Sequence, residues 1–257
     1  MTKKQDDWQA ILDHLDLTFE NGVSSTFDSV DIKYATGDRE PRLVCSMDSR
    51  SSVPPVLKND DLFVLPVRNG VYRLVQGKGY EELPFIDGAP TSWNNKIAFD
   101  LVTRHGGEGE DPHLLHAYNT GLLSNFLGID ELYQTTAGRR YSTAFKFRVG
   151  DSKTISVDGV QFQVDGLFEG ENDIVIVEAK AGSRDDFITR QLYYPYRHYA
   201  TEHDKTVRTV FYIYDESAGV HFLWEYSFDD PHDYTSLFVE RSGKYRIDDP
   251  QSNLSEF

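Results

Sequence analysis

The pattern of apolar and polar positions changes from a helical to a strand period early in the chain. In Asp6–Leu15, Trp8, Ile11, Leu12 and Leu15 fall on one face of a helix, which predicts a short amphipathic helix. The predicted strands that follow are Leu43–Met47, Leu62–Val67 and Val71–Gln76, the last forming a hairpin with the segment after Gly77-Lys78-Gly79. Residues 1–90 are therefore expected to form a small α+β region.

The helical period returns after Trp93 and gives way to a series of strands. Asp111-Pro112 opens a predicted helix whose apolar face is supplied by His113, Leu114, Ala117, Leu122 and Phe126. The later predicted elements are strands at Ser142–Val149, Thr154–Val157, Val160–Asp165 and Asn172–Lys180, a helix at Asp185–Tyr199, and strands at Val207–Tyr214 and His221–Phe228. This order predicts an α+β fold with an α/β-type core, a mixed β-sheet flanked by helices, over residues 91–257.

Composition narrows the class of protein. The chain has 257 residues, 39% of them hydrophobic and 13% aromatic, which supports a packed core and argues against disorder. A single cysteine, Cys45, excludes an internal disulfide framework and a cysteine-rich zinc site. The N-terminus carries no apolar stretch typical of a secretory signal, and no apolar run has a membrane-spanning length. We therefore expect a cytoplasmic protein that does not bind a membrane.

The charge is strongly acidic but unevenly placed. The formal net charge is −16, from 26 basic and 42 acidic residues, and this argues on its face against a nucleic-acid partner. The stretch Gly138–Lys153 differs, because it holds five basic residues and one acid. Within it, Arg139 and Arg140 are the best candidates for DNA contacts, since guanidinium groups bind phosphates and guanine edges. The alternative for these two residues is a solvated turn. The acidic surface itself fits either a salt-loving host or a generic acidic exterior.

One pair of predicted strands carries the candidate chemistry. The strand Asp173–Lys180 is continuously apolar until Glu178, as expected for a strand covered on both faces. Because side chains alternate along a strand, Glu178 and Lys180 lie on one side and Ala179 on the other. If the strand ending at Asp165 pairs antiparallel with it, Asp165 lies beside Glu178. Two carboxylates and one ammonium group then converge at one place on an apolar sheet.

Such a cluster suits phosphodiester hydrolysis. Carboxylates are ligands for Mg²⁺, and two of them leave positions for water and a phosphate oxygen. The metal ion lowers the pKa of a bound water and neutralises charge at phosphorus. Lys180 would orient or deprotonate the attacking water, or stabilise the pentacovalent state. The alternative is structural, because Asp-Gly is a common turn and a Glu-x-Lys pair often marks the solvated end of a strand.

The spacing Asp165…Glu178-Ala179-Lys180 resembles the active-site motif of the PD-(D/E)XK nuclease superfamily. Asp186–Pro195 resembles the helix that follows this motif in a group of type II restriction endonucleases. That group's layout is also matched by Gly138-Arg139-Arg140, Lys146-Phe147, Glu40-Pro41-Arg42-Leu43, Asp48 and Leu62–Pro66. One departure is Val164, where the superfamily often has proline before the aspartate. The resemblance covers most of the chain and is strongest over residues 138–228.

The resemblance implies a restriction-endonuclease-like core in which Asp165 and Glu178 bind Mg²⁺ and Lys180 assists the water. It also implies a further acid from an upstream helix, for which Glu110, Asp111 and Glu131 are equal candidates. Gln191 resembles the glutamine of the Q-x-x-x-Y helix of RecB-like nucleases, although the fourth residue on is proline.

The predicted helix Asp185–Tyr199 supplies further DNA-contact candidates. Arg184, Arg190 and Arg197 lie close to a common face and could reach phosphates, and a bend at Pro195 would aim Gln191 at the motif. Pro195 either bends this helix or ends one helix and begins another. Elsewhere, His113 and His116 are three residues apart, but no third metal ligand accompanies them, so a structural or surface role is favoured.

The leading hypothesis is a Mg²⁺-dependent, sequence-specific double-stranded DNA endonuclease of restriction type. It would act as a homodimer, with residues 1–90 assisting recognition and residues 91–257 carrying catalysis. A structure-selective or repair nuclease with the same core is the second hypothesis. The third is a catalytically silent nuclease fold that only binds a partner.

Overall fold

The computed structural model describes residues 3–97, 99, 101 and 109–248. Its helices are α1 (Lys3–His14), α2 (Ser29–Thr36), α3 (Pro41–Cys45), α4 (Pro55–Lys58), α5 (Asp111–Asn119), α6 (Leu122–Leu127) and α7 (Arg190–Glu202), with a 3-10 turn at Arg50–Ser52. No helix in these ranges has the length and apolarity needed to cross a membrane.

The strands divide between the N-terminal region and a large sheet. Those of the first part are β1 (Phe19–Glu20), β2 (Val23–Ser24), β3 (Phe27–Asp28), β4 (Leu62–Arg68), β5 (Val71–Gln76), β6 (Tyr80–Glu82) and β7 (Thr91–Asn94). Those of the second part are β8 (Tyr133–Tyr141), β9 (Phe145–Phe147), β10 (Ile155–Val157), β11 (Gln161–Glu169), β12 (Asp173–Ala181), β13 (Asp186–Ile188), β14 (Thr206–Asp215), β15 (Val220–Phe228) and β16 (Leu237–Asp248).

A seven-stranded mixed sheet forms the centre of the protein, in the order β7-β16-β15-β14-β12-β11-β8. The strands β8, β11 and β12 pair antiparallel, and α7 then crosses over so that β14 runs parallel to β12. The helices α5 and α6 pack on one face of this sheet and α7 on the other. The predicted fold class, a mixed sheet flanked by helices with a small N-terminal α+β region, is confirmed.

The faces of the sheet are covered by different parts of the chain. Val175, Val177 and Ala179 of β12 pack in one buried cluster with α5 and α6. Ile174 and Ile176 face the opposite way, into a small cluster with Tyr199 of α7. Burial on both faces explains why β12 reads as a continuous apolar run.

The N-terminal region shares its core with the sheet. The largest buried cluster joins Trp8 of α1 and Leu65 of β4 to Leu192 of α7 and Phe211 of β14. The short strand β6 also pairs antiparallel with β13, so that Tyr80 lies opposite Ile188. The two parts therefore meet through packing and through main-chain hydrogen bonds.

Several predicted elements are confirmed and others are wrong. The predicted first helix corresponds to α1, and the strands at Leu62–Val67, Val207–Tyr214 and His221–Phe228 correspond to β4, β14 and β15. The predicted strand Leu43–Met47 is wrong, because Pro41 opens the short helix α3 there. The hairpin is also different: β5 pairs with β4, not with the segment after Gly79.

Two predicted helices have different boundaries in the structure. The helix beginning at Asp111 is divided into α5 and α6 by Gly121, whose φ of 76° lies in the left-handed region that favours glycine. The predicted helix Asp185–Tyr199 begins only at Arg190, since the residues before it form β13. Pro195 lies inside α7, so the hypothesis that it separates two helices is wrong.

Candidate active site

The register of β11 and β12 brings Asp165 and Glu178 together. Gly166 lies opposite Val177 in this antiparallel pair, which places the preceding Asp165 beside Glu178, as the sequence predicts. On the other side of β11, the pairing with β8 shifts register between Val164 and Leu167. A β-bulge of this kind re-aims side chains. Asp165 therefore lies within β11, at an irregularity, and not at the end of the strand.

The alternation predicted for β12 is present in the structure. Ala179 is fully buried against the α5–α6 cluster. Glu178 and Lys180 face the opposite side, where α7 begins. Their side chains are only 7% and 14% exposed, and that of Asp165 is 7% exposed. The strand thus carries three ionisable groups into a largely buried position.

A hydrogen bond and an ion pair join these three groups through Lys180. The Lys180 Nζ donates to Glu178 Oε1 and to the main-chain oxygen of Ala179 at 2.8 Å, and it lies 3.7 Å from Asp165 Oδ2. The Asp165 Oδ2 also accepts a 2.9 Å hydrogen bond from the main-chain N–H of Ala179. The ammonium group is therefore shared between two carboxylates.

The electrostatics of the cluster are dominated by burial. Burial raises the pKa of Glu178 to about 8, with a contribution from the charge of Asp165, although the neighbouring ammonium acts in the opposite direction. Burial alone would lower the pKa of Lys180, but Glu178 and Asp165 reverse this, so its pKa lies above the ordinary value. Lys180 is accordingly a cation at neutral pH, whereas Glu178 gains or loses its proton near that range.

The first turn of α7 completes this cluster with Gln191. Its Nε2 donates to Glu178 Oε1, which already accepts from Lys180. The Oε1 of Gln191 is buried and has no hydrogen-bond partner. An unsatisfied buried acceptor next to buried carboxylates is a costly arrangement and indicates a missing donor. Such a donor could be a water molecule on a bound cation.

The donor set fits a hard divalent cation. Asp165 and Glu178 supply oxygen ligands, and the two negative charges of their ionised forms exceed the single positive charge of Lys180. Within the described ranges, no group of three or more His, Cys, Asp and Glu side chains is arranged to hold a metal. The remaining ligands of a cation here would therefore be water or substrate oxygens.

The three candidates for a further acid occupy different places. Glu110 stands just before α5, and its charge contributes to the raised pKa of Lys180. Asp111 is the first residue of α5. Glu131 lies apart from the site, since its main-chain oxygen is next to Gly170 in the β11–β12 turn, roughly 15 Å along β11 from Asp165.

Asp48 is an acid near the site to which the sequence assigned no role. Its charge contributes to the raised pKa of Glu178. The main-chain oxygen of Asp48 accepts a 3.1 Å hydrogen bond from Ile188, which ties this residue to β13 and so to the start of α7. The only sequence signal for Asp48 was its place in the segment resembling restriction endonucleases.

The arginines predicted to contact DNA are dispersed. Arg139 and Arg140 lie in the edge strand β8, opposite Gln163 and Phe162 of β11, so the alternative of a solvated turn is wrong. Arg139 is exposed, whereas the Arg140 Nη2 donates to Thr136 Oγ1 at 2.6 Å.

The arginines near α7 do not share one face. Arg184 is exposed in the loop after β12, beside Asp185 and Asp186, and Arg190 is half-buried at the start of α7. Arg197 is buried and donates to the main-chain oxygens of Lys146 and Pro231. Arg197 therefore holds α7 in place and cannot reach a phosphate.

The histidines of α5 belong to an aromatic cluster on the other face of the sheet. The ring of His113 stacks on Tyr214 with centroids 3.9 Å apart, and the ring of His116 lies 6.2 Å from that of His221. The Nδ1 of His221 is 2.8 Å from the hydroxyl of Tyr212. These contacts agree with the structural role that the sequence favoured.

Comparison with known proteins identifies two families, and the description of neither family names an activity. Residues 75–246 match the family model described as Domain of unknown function (DUF6997), and residues 5–74 match the model described as Domain of unknown function (DUF6996). No curated protein and no solved structure matches the chain.

Proposed function

The chain belongs to the family described as Domain of unknown function (DUF6997), and from the geometry above we propose that it is a Mg²⁺-dependent DNA endonuclease. The observation that carries this proposal is the convergence of Asp165, Glu178 and Lys180 at the β11–β12 pair, beside Gln191 of α7. The resemblance of the same residues to the PD-(D/E)XK motif supports it. We therefore propose that the protein is an enzyme of that superfamily.

In this proposal Asp165 and Glu178 hold the cation. A bound Mg²⁺ would supply a water of lowered pKa and would neutralise charge on the phosphate. Its presence would favour the ionised form of Glu178, because an adjacent positive charge opposes the effect of burial. Cation binding would therefore be accompanied by release of a proton below a pH of about 8.

Lys180 acts on the charge that develops during hydrolysis. A lysine with a raised pKa is a poor general base, because it is protonated at neutral pH. Its ammonium group is suited instead to orient the attacking water and to stabilise the anionic pentacovalent state. Among the roles that the sequence left open for Lys180, charge stabilisation is the one we adopt.

The substrate we propose is double-stranded DNA cut at specific sequences, as in restriction enzymes. Arg139 is exposed on β8, next to the strand that bears Asp165, and in this proposal it would contact a backbone phosphate. The N-terminal region would assist target recognition. A two-fold homodimer would let two such sites cut both strands of a duplex.

Cleavage of unmethylated DNA of bacteriophage length tests this function. The wild-type chain is incubated with Mg²⁺ or with EDTA, over a salt series that extends to molar KCl, beside Lys180→Ala. A matched control is Lys205→Ala, since Lys205 also pairs with a glutamate of the same hairpin, at 2.9 Å from Glu169, but at its other end. We expect Mg²⁺-dependent fragments of discrete size from wild type and Lys205→Ala, and a loss of at least about 100-fold in Lys180→Ala.

Other outcomes change the proposal in defined ways. A smear in place of discrete fragments would replace the restriction-type enzyme with a non-specific nuclease. Cleavage confined to branched or nicked DNA would support the structure-selective alternative. If no DNA is cut under any of these conditions, the nuclease proposal fails and a binding module is favoured.

A further inference from the structure

A second polar site lies between the N-terminal region and the start of α7. It is a cleft of about 160 Å³ bounded by α3, by the β4–β5 hairpin, and by the first residues of β11 and α7. Three arginines line it, Arg42, Arg68 and Arg190, together with the side chains of Asn69 and Gln161. No aspartate or glutamate lines this arginine cleft.

The arginine cleft carries positive charge without an ion pair to any acid in the part of the chain that the structure describes. None of its three arginines forms an ion pair with a described residue, in a chain whose net charge is −16. The Arg42 Nη2 makes one side-chain hydrogen bond, at 3.3 Å to the Gln161 amide oxygen. Glu40 is near enough to influence the pKa of Tyr72 but does not line the cleft.

Arg190 provides the strongest indication of a ligand. The Nε of Arg190 is shielded from solvent and has no hydrogen-bond partner, whereas Arg42 and Arg68 are exposed. A buried guanidinium donor without an acceptor is costly, because it loses its hydration and gains nothing in return. The cleft is thus built as one half-buried arginine flanked by two exposed ones.

A neighbouring cleft provides a contrast. It is larger, about 340 Å³, and is lined by Arg50, Lys58 and Lys78, but it also contains Asp61. There Lys78 lies 2.5 Å from Glu81, and Arg50 lies 3.9 Å from Glu82. Two of the three basic residues of this cleft thus pair with acids, whereas none of the three arginines of the arginine cleft pairs with a described acid.

We propose that the arginine cleft binds a phosphoryl group carried by a nucleotide or a nucleic acid. Three arginines on separate elements line the cleft and match the charge and the several acceptor oxygens of a tetrahedral dianion, whereas a planar carboxylate is satisfied by one arginine. The small volume suits a phosphate group and not a large organic ligand. This proposal does not depend on the nuclease activity of the Glu178 site.

The position of Arg190 connects the two sites. Arg190 and Gln191 are successive residues of the first turn of α7, and Gln191 contacts Glu178. A phosphoryl group in the arginine cleft would therefore be held at a fixed place relative to the carboxylates. In a DNA complex, it would be a terminal or backbone phosphate of the strand that reaches the Glu178 site.

Titration calorimetry with inorganic phosphate tests the proposal on the full chain, with acetate as the control anion. The variants are Arg190→Met and Arg68→Met, and the matched control is Arg246→Met, which replaces an exposed arginine of β16. We expect each cleft variant to weaken phosphate binding at least about tenfold, with Arg246→Met unchanged. Arg68 is exposed on the hairpin, so its variant keeps the test valid if Arg190→Met does not fold.

Three further ligands identify the source of the phosphate: a mononucleotide, a 5′-phosphorylated DNA duplex and the same duplex with 5′-hydroxyl ends. A cleft for terminal phosphate binds only the phosphorylated duplex, and a cleft for backbone phosphate binds both duplexes. A cleft for free nucleotides binds the mononucleotide and neither duplex. The proposal is overturned if phosphate binds no better than acetate, or if Arg68→Met binds phosphate as well as wild type. Lys180→Ala should retain phosphate binding even if it abolishes cleavage, which separates this proposal from the proposed function.

Discussion

Two glutamates of the seven-stranded sheet are almost equally buried but differ in their surroundings. Glu178 on β12 is 6% exposed and faces α7, whereas Glu225 on β15 is 3% exposed and lies beneath α6. Arg208 donates to both carboxylate oxygens of Glu225, at 2.6 and 3.0 Å, and Arg241 Nε lies 2.7 Å from Oε2. Glu178 has one ammonium group, which it shares with Asp165.

This difference in cationic partners indicates that Glu225 is a structural carboxylate and Glu178 a candidate functional one. The two arginines that pair with Glu225 also donate to main-chain oxygens of α6, at Leu127 and Phe126, so the ion pairs fasten the helix to the sheet. Glu178 fastens nothing comparable, and burial raises its pKa to about 8 because its negative charge is only partly compensated. A buried acid with incomplete compensation is a destabilising feature, and such features concentrate at functional sites.

The largest expected effect is the loss of stability when the Glu225 carboxylate is removed. Glu225→Ala would remove both charge-paired hydrogen bonds of Arg208, whose side chain is 14% exposed, and would leave Asp173, at 3.8 Å, as its remaining acidic partner. We expect the free energy of unfolding to fall by about 3–5 kcal/mol, as for other broken buried ion pairs. Urea denaturation at pH 7 measures this change, with the exposed Glu240→Ala as control. A loss no larger than that of Glu240→Ala would mean that Glu225 is not a structural anchor.

A smaller effect on stability, which depends on pH, is expected for Glu178. Its pKa is about 8 in the folded protein and about 4.5 when unfolded, so the folded state holds a proton that the unfolded state has released. The wild type should therefore lose stability relative to Glu178→Gln as the pH rises from about 4.5 to 8, and no further above that range. The raised pKa of Lys180 lies above this window and does not alter the sign.

Urea denaturation in EDTA at pH 5 and pH 8 measures this second prediction. We expect the difference in unfolding free energy between wild type and Glu178→Gln to change by about 3–4 kcal/mol in favour of the variant at pH 8. A difference that stays constant over this range would show that Glu178 is as well compensated as Glu225.

The smallest effect concerns Gln191, which acts as a positioning residue. Gln191→Leu removes the hydrogen bond to Glu178 and the unsatisfied oxygen together. Because that hydrogen bond favours the ionised carboxylate, its loss should raise the pKa of Glu178. We expect DNA cleavage to fall about tenfold at pH 7 and to recover partly at higher pH.

A pH profile of cleavage distinguishes this role from a structural one. The control is Gln9→Leu, which changes an exposed glutamine of α1. A profile for Gln191→Leu that is lowered equally at every pH would contradict the positioning role.

The sequence predicted the central part of the fold because its strand β12 is buried on both faces. The apolar run of β12 indicated both its position and the alternation that separates Glu178 from Ala179. The edge strand β8 was missed because it is mostly exposed and shows no alternation of apolar and polar residues. The sequence predicted a strand at α3 because a helix of five residues is too short to show the helical spacing of apolar residues.

The site was only partly predictable for a related reason. Asp165, Glu178 and Lys180 are related by strand geometry, which sequence spacing encodes. Asp48 approaches them through the pairing of β6 with β13, a long-range contact that leaves no local pattern. The missing partner of Arg190 is likewise a property of tertiary packing alone.

The shared core has a consequence for how this protein can be divided into fragments. The two matched families meet between residues 74 and 75, inside the strand β5, whose neighbours β4, β2 and β3 all precede that point. A chain divided there would lose the last two residues of the strand that joins the N-terminal sheet, and would expose apolar surface on both fragments. The boundary between the two matched families is therefore not a boundary between two units of folding, because the residues on both sides of it share one interior.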